Sequence, residues 1–335
     1  MTRARRPDSV EMISQVGGHS FEMIHDWGEL PSQIQYGRTH GICGDRQGNI
    51  YVFHTVGTGS SCSDSIVVFD ASGRFVRSWG DQFSDGAHGM VLHPEDNEEF
   101  LYLCDSELGL VLKMTLEGDE VWRLGYPEES PQYGPGGMRL PYSPTDLAIA
   151  PGGDIFVCDG YGSSYINQYD RHGRFIRSFG GLGADPGRLD CPHGILVDCR
   201  SSETVLMVAD RRNHRIQHFT MDGRHVGFTY GTNMPCHLSH YEDDQIVVAD
   251  LTARVTLLDH RNRVMGHLGD DSASDWRRTR TLARPHFTPG RFVAPHATYV
   301  GRGGDIFVVE WVEVGRVTKL RRLPGGADPG EPFPQ

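Results

Sequence analysis

Apolar residues in this chain come in short runs bounded by glycine, asparagine and aspartate, the pattern of antiparallel strands joined by tight turns. The clearest unit runs over residues 152–181. It has a Gly-Gly-Asp turn, the run Ile155-Phe156-Val157-Cys158-Asp159, a tight connection, a second strand, then Asp170-Arg-His-Gly173 and a third strand ending in glycine. The same order returns in NIYVFH…SIVVFDASGRFVRSWG, FLYLCDSELGLVLKMTLEGDEVWRLG, TVLMVADRRNHRIQHFTMDGRHVGFTYG and QIVVADLTARVTLLDHRNRVMGHLG. A last copy, GGDIFVVEWVEVGRVTKLRRL, stops one strand short. A repeat of roughly 45–60 residues is the span of a propeller blade. A lone four-stranded blade cannot bury both faces, so six of them pack radially around a channel. The pattern predicts an all-β, six-bladed β-propeller in one domain over residues 16–323. The segment His19-Ser-Phe-Glu-Met-Ile-His-Asp-Trp-Gly28 matches the outermost strand at 73–80 and is expected to complete the sixth blade and close the ring. Residues 1–15 and the breaker-rich tail 324–335 are expected to be loose.

Composition narrows the function. The 335 residues carry a formal net charge of −12, with acids spread along the chain. An acidic surface repels a phosphate backbone, which argues against a nucleic-acid partner. No apolar run is long enough to span a membrane. The basic start has no apolar segment behind it, so a cytoplasmic location is expected. Of the seven cysteines none forms a C-x-x-C pair, which argues against a thiolate zinc knuckle. Cys43, Cys104 and Cys158 read as small buried thiols.

Just before the innermost strand of each blade the chain must emerge near the central axis. Those places read Thr39-His40-Gly, Ala87-His88-Gly, Pro144-Thr145-Asp146, Pro192-His193-Gly, Pro235-Cys-His237 and Pro295-His296. A single histidine there is more often a hydrogen-bonded core residue than a ligand, and an ancestral His-Gly kept for packing would repeat in the same way. Several imidazoles converging on one channel, however, leave unpaired nitrogens at about 1–3 kcal/mol each. A bound metal removes that cost, so His40, His88, His193, His237 and His296 are metal-ligand candidates. Three neutral imidazoles with an open position suit zinc, while iron and copper also accept imidazole. Thr145 and Asp146, at the remaining position, are candidates for substrate binding.

The stretch from Ser143 to Phe219, with its D-G-Y turn, its C-P-H-G and its A-D-R element, resembles the catalytic core of peptidyl-α-hydroxyglycine α-amidating lyase, a six-bladed NHL-type propeller. The likeness is traceable from about Gly37 to Leu320. It implies a zinc held by His88, His193 and His296, a catalytic Tyr161, and an arginine, Arg211, for the substrate carboxylate. The implied chemistry splits a carbinolamide into an amide and glyoxylate. Three departures stand out. Phe53-His54 is followed by Thr55 where the family has arginine, and Arg38 is the candidate to replace it. The family has no counterparts of His40 and His237. Ala297 stands where its last zinc histidine is followed by an acid, which counts against its structural calcium. Other roles compete: Tyr161 as a turn aromatic, Arg211 as a bridge to Asp210, His54 as support behind the site.

Two inserts, 125–142 and 269–292, precede tunnel-entry positions, and the second carries Trp276, Arg277, Arg278 and Arg284, a basic cluster suited to an anionic small molecule. The sequence is thus expected to encode a metal-dependent lyase for a small carboxylate-bearing substrate. An iron or copper redox enzyme and a non-catalytic NHL-type interaction module are the alternatives.

Overall fold

The computed structural model describes residues 12–133, 139–242 and 244–324. Six antiparallel four-stranded blades stand in a ring. The six innermost strands are Tyr36–Gly44, Ala87–Glu95, Asp146–Ile149, Pro192–Asp198, Pro235–Tyr241 and Pro295–Val300. Each packs against the next, and the last against the first, enclosing the tunnel.

The burial pattern follows from radial packing. Middle strands are sandwiched between neighbouring blades, so Ile66–Phe69 and Ile155–Cys158 are buried at every residue rather than alternately. Outer strands such as Phe75–Trp79 keep only partial cover. Apolar clusters accordingly lie between blades: Tyr51, Phe53 and Leu101 between the first and second, Phe156 and Leu206 between the third and fourth, Phe21, Val247 and Val308 between the fifth and sixth. Each such side chain contributes about 1.5–3 kcal/mol. The Asp-x-x-Gly turns tie off the outer hairpins. Asp70 Oδ1 accepts from the backbone N–H of Ser72 (2.9 Å) and Arg74 (3.1 Å), and Asp170 does the same for His172 and Arg174.

The N-terminus closes the ring as expected. His19–His25 runs antiparallel to Arg316–Arg322, with Met23 opposite Leu320. The expectation that residues up to 15 are loose fails for Ile13–Gln15. Ile13–Val16 forms a fifth strand on the sixth blade, paired with His19–His25. Val16 explains why: it is buried in the cluster between the fifth and sixth blades, beside Met265, and that contact offsets the cost of ordering the chain. Residues 1–11 and 325–335 lie outside the described residues, as do the expectations for them.

Buried acids at the end of the second strand anchor the segments that lead into the tunnel. Asp159 Oδ1 accepts from Ser143 N (2.7 Å), Asp210 Oδ1 from Asp190 N (2.8 Å), Asp250 Oδ1 from Asn233 N (3.1 Å) and Glu310 Oε1 from Val293 N (2.7 Å). Arg215, Arg254 and Arg316 pair with the last three. Truncating one partner of such a pair would leave an uncompensated buried charge, so these positions hold the tunnel mouth firmly. In the first blade His54 takes the acid's place and binds the Thr55 carbonyl through Nδ1 (2.7 Å).

His25 links the closing strand to the 269–292 insert. Its Nδ1 donates to Thr318 Oγ1 (2.8 Å) and its Nε2 accepts from Gly290 N–H (3.2 Å), an acceptor role that protonation abolishes. Burial, aided by Arg316, lowers its pKa from 6.5 to about 4. The folded state therefore binds fewer protons than the unfolded chain between those values, and the stability His25 contributes is complete above pH 6.5 and lost as pH falls toward 4. Urea unfolding of His25→Gln beside the wild type is expected to show a shallower loss between pH 7 and pH 4.5, by on the order of 1–2 kcal/mol. Parallel pH profiles would contradict this.

Candidate functional site

At the tunnel end of the inner strands the pairing registers slip by one residue, the signature of a β-bulge, which re-aims a side chain. The slips fall at His40 (between Thr39 and Gly41), His88 (between Ala87 and Met90), His193 (between Pro192 and Ile195), Cys236 (between Pro235 and His237) and His296 (between Pro295 and Ala297). Thr145 holds the corresponding place in the third blade, directly ahead of Asp146–Ile149. The ring of equivalent positions is therefore His40, His88, Thr145, His193, Cys236 and His296, all buried. His237, expected in this ring, stands one residue further along its strand. There Thr298 N–H donates to its Nδ1 (3.3 Å). The signal for Cys236 was in the sequence: aligning Pro235 with Pro192 and Pro295 puts Cys236, not His237, opposite His193 and His296.

Alternate blades play different parts. His88 Nδ1 meets the carbonyl of Thr145 (2.5 Å), His193 Nδ1 that of Cys236 (2.9 Å), and His296 Nδ1 that of His40 (2.9 Å). Each bond crosses to the next blade, with Nδ1–H as donor. That fixes one tautomer and leaves the Nε2 lone pair free. Close approach of the strands makes these contacts possible. A Cβ on Gly194 would lie 2.4 Å from the Cys236 carbonyl, and one on Gly89 would lie 2.6 Å from that of Thr145. The glycines of the His-Gly pairs thus serve packing, while the histidines are held as acceptors. The centroids of the three rings form a nearly equilateral triangle, 4.8 Å (His88–His193), 4.9 Å (His88–His296) and 4.7 Å (His193–His296).

Burial holds the His88 imidazole neutral down to about pH 3 and pushes His193 and His296 well below their usual range, with Arg211 and neighbouring imidazoles adding to the effect. His296 Nε2 is buried without a protein partner. Neutral tethered imidazoles suit a divalent metal, and two groups of donor atoms here could hold one, His40 with His88 and His296, and His193 with Cys236 and His296, while the carbonyl tethers resemble the outer contacts that orient metal-bound histidines.

Tyr161 caps one edge of the triangle. Its hydroxyl lies 3.0 Å from His88 Nε2 and 3.0 Å from His193 Nε2, with Arg211 Nη1 donating to it from 3.3 Å. Gly160 makes this turn possible, since a Cβ there would sit 2.2 Å from the Pro192 carbonyl. Burial raises the phenol to about 12, against the lowering pull of Arg211. The alternative that Arg211 bridges to Asp210 fails, because Asp210 is taken by Arg215, Gln217 and Asn213. Arg211 leads a short 3-10 turn, Arg211–Asn213, and its buried guanidinium has no carboxylate partner among the described residues.

Other expected residues are placed elsewhere. Arg38 is paired with Glu313 (3.0 Å), because Thr39 turns inward onto the carbonyls of Glu310 and Arg316 and alternation sends Arg38 outward. Thr145 spends its hydroxyl on the Pro192 carbonyl (2.8 Å) and its carbonyl on His88, so it serves the scaffold rather than a substrate. Asp146 lies one residue deeper. Its Oδ2 accepts from Ile195 N–H (3.2 Å), and burial raises its carboxyl to about 7. In the insert 269–292, Trp276 and Phe287 are buried beside Cys236 and Ala294, Arg284 is paired with Asp26, and Arg277 and Arg278 are exposed.

The chain is 27% identical over 217 residues to peptidyl-α-hydroxyglycine α-amidating lyase 1 of Drosophila melanogaster, a match covering 56% of this chain and 38% of the fly protein. It is 30% identical over 181 residues to peptidyl-glycine α-amidating monooxygenase of Mus musculus, covering 51% of this chain and 18% of the mouse protein. The chain resembles the amidating lyases. The matches span well under half the length of these relatives. No family model matches the chain. Among solved structures, a streptogramin B lyase superposes with a TM-score of 0.60 at 13% identity, covering 94% of this chain and all of that one, a likeness of fold. No described helix is long and apolar enough to cross a membrane.

The bond from Thr145 Oγ1 to the Pro192 carbonyl positions the residue before His193. Thr145→Val keeps the shape and removes the donor, leaving a buried carbonyl unpaired. A stability loss of about 1–3 kcal/mol in urea unfolding is expected, and a change below about 0.5 kcal/mol would show that the bond is not needed.

Proposed function

We propose that this chain is a metal-dependent lyase that cleaves the C–N bond at a hydroxylated carbon of a small, carboxylate-bearing substrate. The observation that carries the reading is the Tyr161 hydroxyl, held between His88 Nε2 and His193 Nε2 with the buried Arg211 guanidinium beside it. The similarity to lyases named for peptidyl-α-hydroxyglycine supports the same substrate chemistry.

In this reading His88, His193 and His296 hold the ion. Zinc is the first expectation, and iron or copper the alternatives. When bound, the ion supplies Lewis acidity toward a substrate oxygen. The chain's own residues do the rest. Arg211 anchors the carboxylate by charge-assisted hydrogen bonds, which sets the hydroxylated carbon against the tyrosine. Tyr161, whose phenol would ionise only with a cation held beside it in addition to Arg211, takes the hydroxyl proton. The O–H electron pair becomes the new C=O bond, the C–N bond breaks, and the proton returns to the departing amide nitrogen. The products are an amide and an α-oxo acid, with atoms and charge balanced. The exposed Arg277 and Arg278 stand over the same face of the fifth and sixth blades and favour anionic substrates.

The test is an α-hydroxyglycine-terminated acyl amide with glyoxylate release as readout, run alongside elemental analysis. Tyr161→Phe is expected to lower kcat about 10²–10⁴-fold with metal content unchanged. Arg211→Ala is expected chiefly to raise KM, and His193→Ala to lose the metal while circular dichroism stays native. Full activity in Tyr161→Phe would overturn the assignment of the tyrosine, and an intact wild type that takes up no transition metal would overturn the reading as a whole.

A further inference from the structure

Beyond the three tethered histidines, the first blade brings a fourth imidazole to the group. His40 lies with its ring centroid 4.8 Å from His296 and 5.1 Å from His88, the same spacing as within the triangle. One ring nitrogen from each of His40, His88 and His296 falls in a set mutually within 4.8 Å. His40 differs from the other three in its tether. Its Nδ1 is buried and meets no protein acceptor, whereas theirs reach backbone carbonyls. A second buried polar atom, Asp146 Oδ1, is likewise without a protein partner. Both residues line the same small cavity at the histidine ring, whose room for a water centre, about 10 Å³, is close to the least that admits one water.

We infer that His40 is a fourth ligand to the metal, oriented by Asp146 through a single water in that cavity. This rests on the reading that His88, His193 and His296 hold an ion. The water accepts from His40 Nδ1–H and donates to the Asp146 carboxylate. His40 then presents Nε2, the atom the other three also present, and the carboxylate–histidine–metal arrangement is completed at one remove. Two unsatisfied buried atoms are accounted for by one solvent molecule, and the extra histidine of the first blade gains a role that packing does not require. A four-imidazole set would hold an ion more tightly than three, with Tyr161 at the edge formed by His88 and His193.

The competing fourth ligand is Cys236, whose Sγ is grouped with His193 and His296 on another edge of the triangle. The two are separable by experiment. Protein loaded with one equivalent of Zn²⁺ is examined by X-ray absorption fine structure, and its zinc affinity is measured by competition with a chelating dye. The wild type is expected to show four imidazole nitrogens and no sulfur. His40→Gln should show one imidazole fewer and bind zinc at least 10-fold more weakly. Asp146→Asn should keep four imidazoles but bind about 10–100-fold more weakly. Circular dichroism of each variant checks that the fold is retained, and Asp146→Asn guards against a His40 variant that fails to fold. Three imidazoles in the wild type with unchanged affinity in His40→Gln would overturn the inference, and so would a sulfur scatterer, which assigns the position to Cys236. His193→Ala separates the levels. If it abolishes zinc binding while His40→Gln does not weaken it, only the fourth ligand falls. If neither weakens it, the three-histidine reading falls as well.

Discussion

The site depends on one recurring interaction, the hydrogen bond from a histidine Nδ1–H to a backbone carbonyl of the next blade. Three such bonds, from His88, His193 and His296 to Thr145, Cys236 and His40, each join one blade to its neighbour, at every second interface around the tunnel. A bulge points each histidine into the channel, and for His88 and His193 the following glycine, Gly89 or Gly194, lets the inner strands approach closely enough for the bond. The bonds do two things at once. They pair backbone carbonyls of the neighbouring blade, and they set the tautomer that leaves each Nε2 an acceptor, two of them facing the Tyr161 hydroxyl and the third, on His296, without a protein partner.

The rest of the fold keeps that arrangement rigid. Acids at the ends of the second strands fasten the incoming segments, Arg215, Arg254 and Arg316 neutralise three of them, and the inter-blade clusters fix the radial spacing. The N-terminal strand closes the ring against Arg316–Arg322, so the blade that carries His296 is completed by the opposite end of the chain. Placing the reactive groups on strands and tight turns rather than on long loops suits a site where small displacements cost much activity. The inserts pack on the ring at two places. Trp276 and Phe287 seat one of them against the fifth and sixth blades, and Tyr126, Tyr133 and Tyr142 pack edge to face in the other.

The architecture was legible because the repeat is dense with local signals: apolar runs, Asp-x-x-Gly turns and His-Gly pairs recur at blade spacing. The convergence of His88, His193 and His296, the Tyr161 turn and Arg211 could be read from the same spacing together with the family resemblance. Register was harder to read. Pro235-Cys-His237 passed for another proline–histidine entry because the histidine drew the eye, although its proline aligns Cys236 with His193 and His296 and the bulge falls there. Arg38 misled for a related reason: alternation at Thr39 decides which way it faces, and only the pairing with His54 fixes that alternation. Thr145 was polar and in the right place, but its hydroxyl is consumed by a carbonyl nearly fifty positions away in sequence. The strand Ile13–Val16 went unseen because its apolar partner, Met265, belongs to the neighbouring blade.

The central claim is that the three carbonyl-tethered histidines share one ion. Anomalous diffraction at the zinc edge from crystals of zinc-loaded protein locates that ion without reference to activity. A single peak about 2.0–2.1 Å from the Nε2 atoms of His88, His193 and His296 is the result this account predicts. A peak away from those nitrogens, or none at full zinc loading, would contradict it.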